Sequence, residues 1–221
     1  MTSLNLWVAG ARPRTLPAAI APVIVGSAFA SRDFSTTRSL LALVVALALQ
    51  IGVNYANDYS DGIKGTDSDR VGPLRLVGSG VASARSVRNA AFISFLIAAL
   101  AGLYLASLTS WSLLLIGAAA IIAAWNYTGG SKPYGYSGFG EISVFIFFGI
   151  VATLGTYYVN ALYLSKEAFL ASLAMGSLAC SILVLNNLRD REKDELVNKR
   201  TLAVIIGDTK TRRSEEHTSE L

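Results

Sequence analysis

The chain has 221 residues, of which 52% are hydrophobic and only 15% charged, and its mean hydropathy is +0.48. Soluble domains carry nearer a quarter charged residues, so this composition excludes an ordinary soluble fold and selects a polytopic membrane protein. The net charge of +4 is too small to argue for nucleic acid, and a single cysteine, Cys180, excludes a disulfide framework.

Taken in chain order, six stretches approach the roughly 20 apolar residues that a spanning helix needs, at about 15–31, 39–57, 88–108, 111–128, 139–162 and 167–187. The pattern predicts an all-α, polytopic transmembrane helical bundle. The first stretch follows Arg12 and Arg14 and lacks a small-residue cleavage site, so it reads as a span rather than a leader. It contains Pro17 and Pro22, which packed membrane helices tolerate. Trp7, Trp111, Tyr127, Tyr157 and Tyr158 cluster near helix ends, as an interfacial belt does.

Apart from Arg32, Arg38 and Lys166, every Lys and Arg lies in or at the edge of the N-terminus, 58–87, 128–138 and the region after 188. Positive charge marks the cytoplasmic side, which predicts a multi-pass protein of the cell inner (plasma) membrane with a cytoplasmic N-terminus. Residues 1–212 read as one membrane domain. Residues 213–221, "RSEEHTSEL", resemble the translation of a sequencing-adapter oligonucleotide and are expected to be a non-native tail, on which reading the membrane domain is C-terminally truncated. A short charged tail is the alternative.

The second stretch closes on "NYANDYSDGIKGTD". On a helix, Asn54, Asn57, Asp58 and Asp61 share one face. The sixth closes on "LVLNNLRDREKDEL", where Asn186 or Asn187 precedes Asp190 and Asp194 follows at i+4. Carboxylates beside hydrocarbon are costly and usually face a cavity with a partner. Two acidic clusters on one side of the membrane suit a hard cation bound through oxygen, and Mg2+ also takes phosphate oxygens and water. The competing reading is a solvated juxtamembrane segment. Lys64, Arg70, Arg75, Lys132, Arg189, Lys199 and Arg200 share these loops. They either serve topology alone or clamp a diphosphate as well. Lys132, the lone cation of a Gly-rich loop flanked by Tyr127, Tyr134 and Tyr136, is either a phosphate ligand or part of a structural turn.

These residues resemble the UbiA-type intramembrane aromatic prenyltransferases, whose acidic motifs follow the second and sixth helices. Here the motifs read "NDYSDGIKGTD" and "DREKD". The stretches "GARPRTLPAAIAPVIVGSA", "GPLRLVGSGVAS", "YTGGSKPYGYSGFGE" and "NNLRDREKDELVNKRTLAV" are similar to the branch that prenylates 1,4-dihydroxy-2-naphthoate in menaquinone synthesis. The resemblance implies a nine-helix fold, of which six helices are present. It implies polyprenyl diphosphate and 1,4-dihydroxy-2-naphthoate as substrates and Mg2+ as cofactor. Asn57, Asp61, Asp190 and Asp194 would hold Mg2+, with Asp58 and Asp67 assisting. Asp58, Asp61, Asp190 and Asp194 would carry catalysis. Lys64, Arg75, Tyr127, Lys132, Tyr134, Arg189 and Lys199 would bind substrate, with Tyr127 or Tyr134 sheltering a carbocation. Arg12 and Arg14 either fix topology or attract the carboxylate of the acceptor. Two departures stand out: Gly65 occupies the position of a further Asp, and Asn198-Lys199 replaces a Gly-Lys pair.

Three rival readings remain at this point: an acceptor such as 4-hydroxybenzoate or a porphyrin, a transporter, and an inactive fragment. A transporter predicts charges near mid-membrane, whereas these acids sit at helix ends.

Overall fold

The computed structural model describes residues 3–65 and 74–219, with side chains up to Arg213. The expectation for Asp67 therefore lies outside the described residues. The elements are α1 (Leu4–Gly10), α2 (Pro17–Phe29), α3 (Thr36–Lys64), α4 (Ala84–Ser107), α5 (Leu113–Asn126), α6 (Gly140–Ala161), α7 (Lys166–Leu196), α8 (Leu202–Ile206) and α9 (Asp208–Ser219). All six expected apolar segments are helical. Four of them (α3, α4, α6 and α7) are long and apolar enough to cross a membrane. The other two, α2 and α5, are shorter, with 13 and 14 residues. A straight helix of that length rises only about 20 Å, less than a hydrocarbon core of about 30 Å.

The long helices exceed the expected spans at their polar ends. α3 has 29 residues, is capped by Ser35, whose hydroxyl accepts from the Arg38 N–H, and is followed by Gly65 with φ of 71°. Glycine enters that left-handed region without a Cβ penalty, so the chain can leave the helix there. α7 has 31 residues and is capped by Ser165, whose hydroxyl accepts from the Ala168 N–H. Each rises about 45 Å and so projects a polar turn beyond the hydrocarbon. The described acids of both motifs, Asp58, Asp61, Asp190 and Asp194, thus lie on helix rather than in loops.

Contacts run from α5 to α4 and α3, from α3 to α2, and from α2 to α6 and α7. Small residues let backbones close together without a hydrophobic drive between helices. A Cβ on Gly149 of α6 would lie 2.5 Å from the Gly176 Cα of α7, and one on Gly26 of α2 would strike the Thr153 carbonyl of α6. Phe145–Leu154, at the centre of α6, is wound as a π-helix. At the end of the bundle away from the acids, the Arg38 guanidinium donates to the carbonyls of Val159, Asn160 and Leu108 at 3.2–3.5 Å.

At the acidic end the chain after α3 folds back. Tyr55, Ala56, Leu76, Val87, Ala91 and Phe95 form a buried cluster there, with Leu76 as the plug. Beyond α7, Ser137 and Arg200 form one parallel β-bridge, and the Arg200 N–H donates to the Tyr136 carbonyl at 3.1 Å. That bridge ties the loop between α5 and α6 to the segment after α7.

Candidate active site

A cavity of about 970 Å³ occupies the arc of helices. On α3 alone both Ala42 and Asp61 line it. Those residues are 19 positions apart, which at 1.5 Å per residue is about 28 Å along the helix. Most of the wall is Ala, Val, Leu, Ile and Phe from α2 to α7, including Phe147, Phe148 and Val151 of the π-helical stretch. The charged lining gathers at one end, where Arg12, Asp61, Arg75, Arg189, Asp190 and Lys199 stand with Asn57, Thr128 and Asn187. One compartment therefore joins a charged head site to a long apolar slot.

Each acid is held by a distinct partner set. Asp61 is buried, accepts the Tyr136 hydroxyl at 2.7 Å, and pairs with the Arg75 guanidinium at 3.4 Å. Asn57 accepts the Thr128 hydroxyl at 2.7 Å. Asp190 receives Arg189 through both oxygens, at 2.8 and 2.9 Å, the fork geometry in which Arg binds carboxylates best. Asp194 pairs with Lys199 at 3.2 Å and is not part of the cavity wall.

Asp58 is placed differently from Asp61. It is fully buried, and its carboxylate accepts the Leu76 N–H at 2.7 Å and the Val77 N–H at 3.0 Å. It clamps the returning loop, and Arg75 is carried onto Asp61 by that clamp. Asp58 is absent from the cavity wall.

The expected phosphate ligands divide in the same way. Arg75, Arg189 and Lys199 line the cavity; Lys132 is exposed and lies off it. Lys64 donates to the Thr128 carbonyl at 2.6 Å and is also off the wall. Its ammonium stands 4.9 Å from the centre of the Tyr136 ring, and that of Lys199 stands 5.6 Å away. Tyr136 thus connects the two acidic helix ends through its hydroxyl and its ring face. Tyr127 and Tyr134 both line the cavity, edge to face at 5.5 Å. Burial raises the Tyr134 phenol above its usual range against the lowering effect of its Ser143 hydrogen bond. A phenol ionises at about pH 10, so both rings at the cavity wall are neutral near pH 7.

Arg12 also lines the cavity, whereas Arg14 does not. The turn that presents Arg12 is held from α3: Asn54 donates to the Ala11 carbonyl at 2.9 Å and to Thr15 at 3.0 Å, and Gln50 donates to Thr15 at 3.0 Å. Asn54 thus shares a face with the acids but serves the N-terminal turn.

The sequence profile of the UbiA prenyltransferase family matches residues 19–218. The chain belongs to that family. Within it, the chain is 58% identical to 1,4-dihydroxy-2-naphthoate octaprenyltransferase of Mycobacterium tuberculosis, over 96% of this chain and 73% of the relative. It is 42% identical to the Escherichia coli protein of the same name, over 94% of this chain and 70% of that one. A solved structure of a UbiA homolog from Archaeoglobus fulgidus, bound to DMAPP and Mg2+, superposes with a TM-score of 0.77 at 16% identity, covering 97% of this chain and 74% of that one. That likeness establishes the shared UbiA fold.

Several residues around the cavity of this UbiA family member were not singled out from sequence. Tyr136 was visible only as a neighbour of Lys132, and Thr128 carried no signal at all. Glu141 did carry one: it is the lone acid within a long apolar stretch, and an isolated charge in a span is a functional candidate by default.

Proposed function

We propose that this protein is a prenyltransferase that moves a polyprenyl group from its diphosphate to 1,4-dihydroxy-2-naphthoate, with loss of CO2, to give the quinol of demethylmenaquinone. The observation that carries the reading is the union, in one cavity, of an apolar slot with a head site of Asn57, Asp61 and Asp190 beside Arg75, Arg189 and Lys199. The names of the bacterial relatives support the same acceptor. Arg12, at the same polar end, suits the carboxylate of such an acceptor.

The donor set fits Mg2+. It is all oxygen and rich in carboxylate. Among the described residues, no three carboxylate, histidine or cysteine side chains converge on one point. Asn57 and Asp61 on α3, and Asp190 and Asp194 on α7, would therefore each hold an ion with phosphate oxygens and waters completing its shell. When bound, Mg2+ supplies positive charge to the departing diphosphate.

The chain's own residues do the rest. Arg75, Arg189 and Lys199 hold the diphosphate oxygens at the mouth and stabilise their growing charge. The apolar walls of α3, α5 and α6 bind the isoprenoid and exclude water from the allylic carbon. Tyr127 and Tyr134 offer neutral π faces to the cation left when the C–O bond breaks. The electron-rich ring then attacks, a C–C bond forms, and CO2 leaves from the ring. The basic residues, concentrated beside the acidic helix ends, support a plasma-membrane protein whose N-terminus and head site face the cytoplasm.

The test is Mg2+-dependent transfer from a radiolabelled polyprenyl diphosphate, with Asp61→Ala and Asp190→Ala compared with wild type. Both variants are expected to reach the membrane and to lose transfer. Wild-type turnover in either one would sink the metal assignment.

A further inference from the structure

Glu141 opens α6 behind the cavity wall and takes no part in the chemistry described above. It does not line the cavity. One carboxylate oxygen accepts the Asn187 Nδ2–H at 2.9 Å. The other, Oε2, is buried and has no hydrogen-bond partner among the described residues. Asn187 itself is buried in α7, lines the cavity, and lies one helical turn from Asp190. The donor in this bond is the NH2 group of Asn187, so that group faces Glu141. The carboxamide oxygen is then left for the cavity.

Depth in the cavity selects what that oxygen meets. Asp190 marks the charged mouth. Asn187 is on the inner side of it, where the α7 lining passes to Leu183, Ile182 and Ala179. Tyr127 approaches the same place: its hydroxyl is 3.1 Å from where a Cβ on Gly140 would stand. The junction of the head site and the apolar slot is where an allylic carbon and an aromatic ring have to meet. An acceptor oxygen fixed at that junction suits a phenolic O–H. Hydrogen-bonding that hydroxyl strengthens electron donation into the ring.

Resting on the functional reading above, we propose that Glu141 is a positioning residue, which locks the Asn187 carboxamide so that its oxygen accepts a hydrogen bond from a ring hydroxyl of the aromatic acceptor. A carboxylate does this better than an amide for a definite reason. A glutamine at 141 can pair with Asn187 in either sense, as donor or as acceptor, so the tie survives while the orientation is lost.

The experiment compares purified wild type with Glu141→Gln, Asn187→Leu and the double variant, varying each substrate in turn. Glu141→Gln is expected to stay folded and to lose about tenfold in kcat/KM for the dihydroxynaphthoate, with KM for the prenyl diphosphate and the Mg2+ requirement unchanged. Asn187→Leu should lose about a hundredfold, as a site deprived of a hydroxyl partner does. The double variant should match Asn187→Leu. Glu141→Gln at wild-type efficiency overturns the proposal. So does a loss that falls on the prenyl diphosphate instead, which would assign Asn187 to the head site. A wild-type protein that prenylates a different phenol refutes only the naphthoate reading, and the same comparison then runs with that phenol. A wild-type protein that neither prenylates nor is thermally stabilised by any hydroxylated aromatic acid overturns both.

Discussion

Replacing Asp58 by alanine separates a structural carboxylate from a metal-binding one. The side chain is fully buried and accepts two backbone N–H groups, from Leu76 at 2.7 Å and Val77 at 3.0 Å. Hydrogen bonds to a charged group contribute about 1.5–3 kcal/mol each, and alanine leaves both donors without this partner, that of Leu76 fully buried. Taking the lower figure for each bond, closure of the loop weakens by about 3 kcal/mol. At about 1.4 kcal/mol per factor of ten, local opening rises by more than a hundredfold. Hydrogen exchange at the amides of Leu76 and Val77 reads this directly, and protection there should fall by that factor while α4 and α7 keep theirs. Transfer should fall as well, because Arg75 loses its hold on Asp61. The concentration of Mg2+ giving half-maximal rate should stay near wild type. Unchanged exchange at Leu76 and Val77, together with a raised Mg2+ requirement, would refute the clamp and return Asp58 to the metal site.

Tyr136→Phe removes the 2.7 Å bond to Asp61 and keeps the ring that Lys64 and Lys199 approach. A hydrogen bond to a charged group at about 1.5–3 kcal/mol predicts a tenfold or greater fall in kcat/KM for the prenyl diphosphate. Unaltered kinetics would show that the ring alone organises the mouth. Lys132→Ala should change transfer by no more than about twofold, the range of an exposed substitution; a large loss would place Lys132 on the substrate. Gly149→Val forces a side chain against the Gly176 backbone, where a Cβ would lie 2.5 Å from the Cα. Overpacking of this kind costs about 1–3 kcal/mol, seen as a lower midpoint of thermal unfolding in detergent, and a wild-type midpoint would contradict the close-packed contact of α6 with α7.

Class of molecule and the six apolar segments were legible from the amino-acid sequence alone, which also offered most of the charged residues that line the polar end of the cavity. Hydropathy and charge placement are sums over many residues, so they survive without coordinates. The two acidic motifs were legible because carboxylates at i, i+3 and i+4 beside hydrocarbon have few innocent explanations. Individual roles were not legible, since a helical face records which residues are neighbours and not what each one meets. Asp58 and Asp61 differ by three positions, yet one faces a returning loop and the other the cavity, and only the fold-back at Leu76 and Val77 decides between them. In the same way Lys132 and Lys199 look alike as cations near tyrosines, but the β-bridge at Ser137 and Arg200 brings one to the wall and leaves the other in solvent. Tyr136, Thr128 and the Glu141–Asn187 pair act across separations of 46 to 75 residues. Pairings at that range are fixed by the packing of α3, α6 and α7, and no local pattern encodes them.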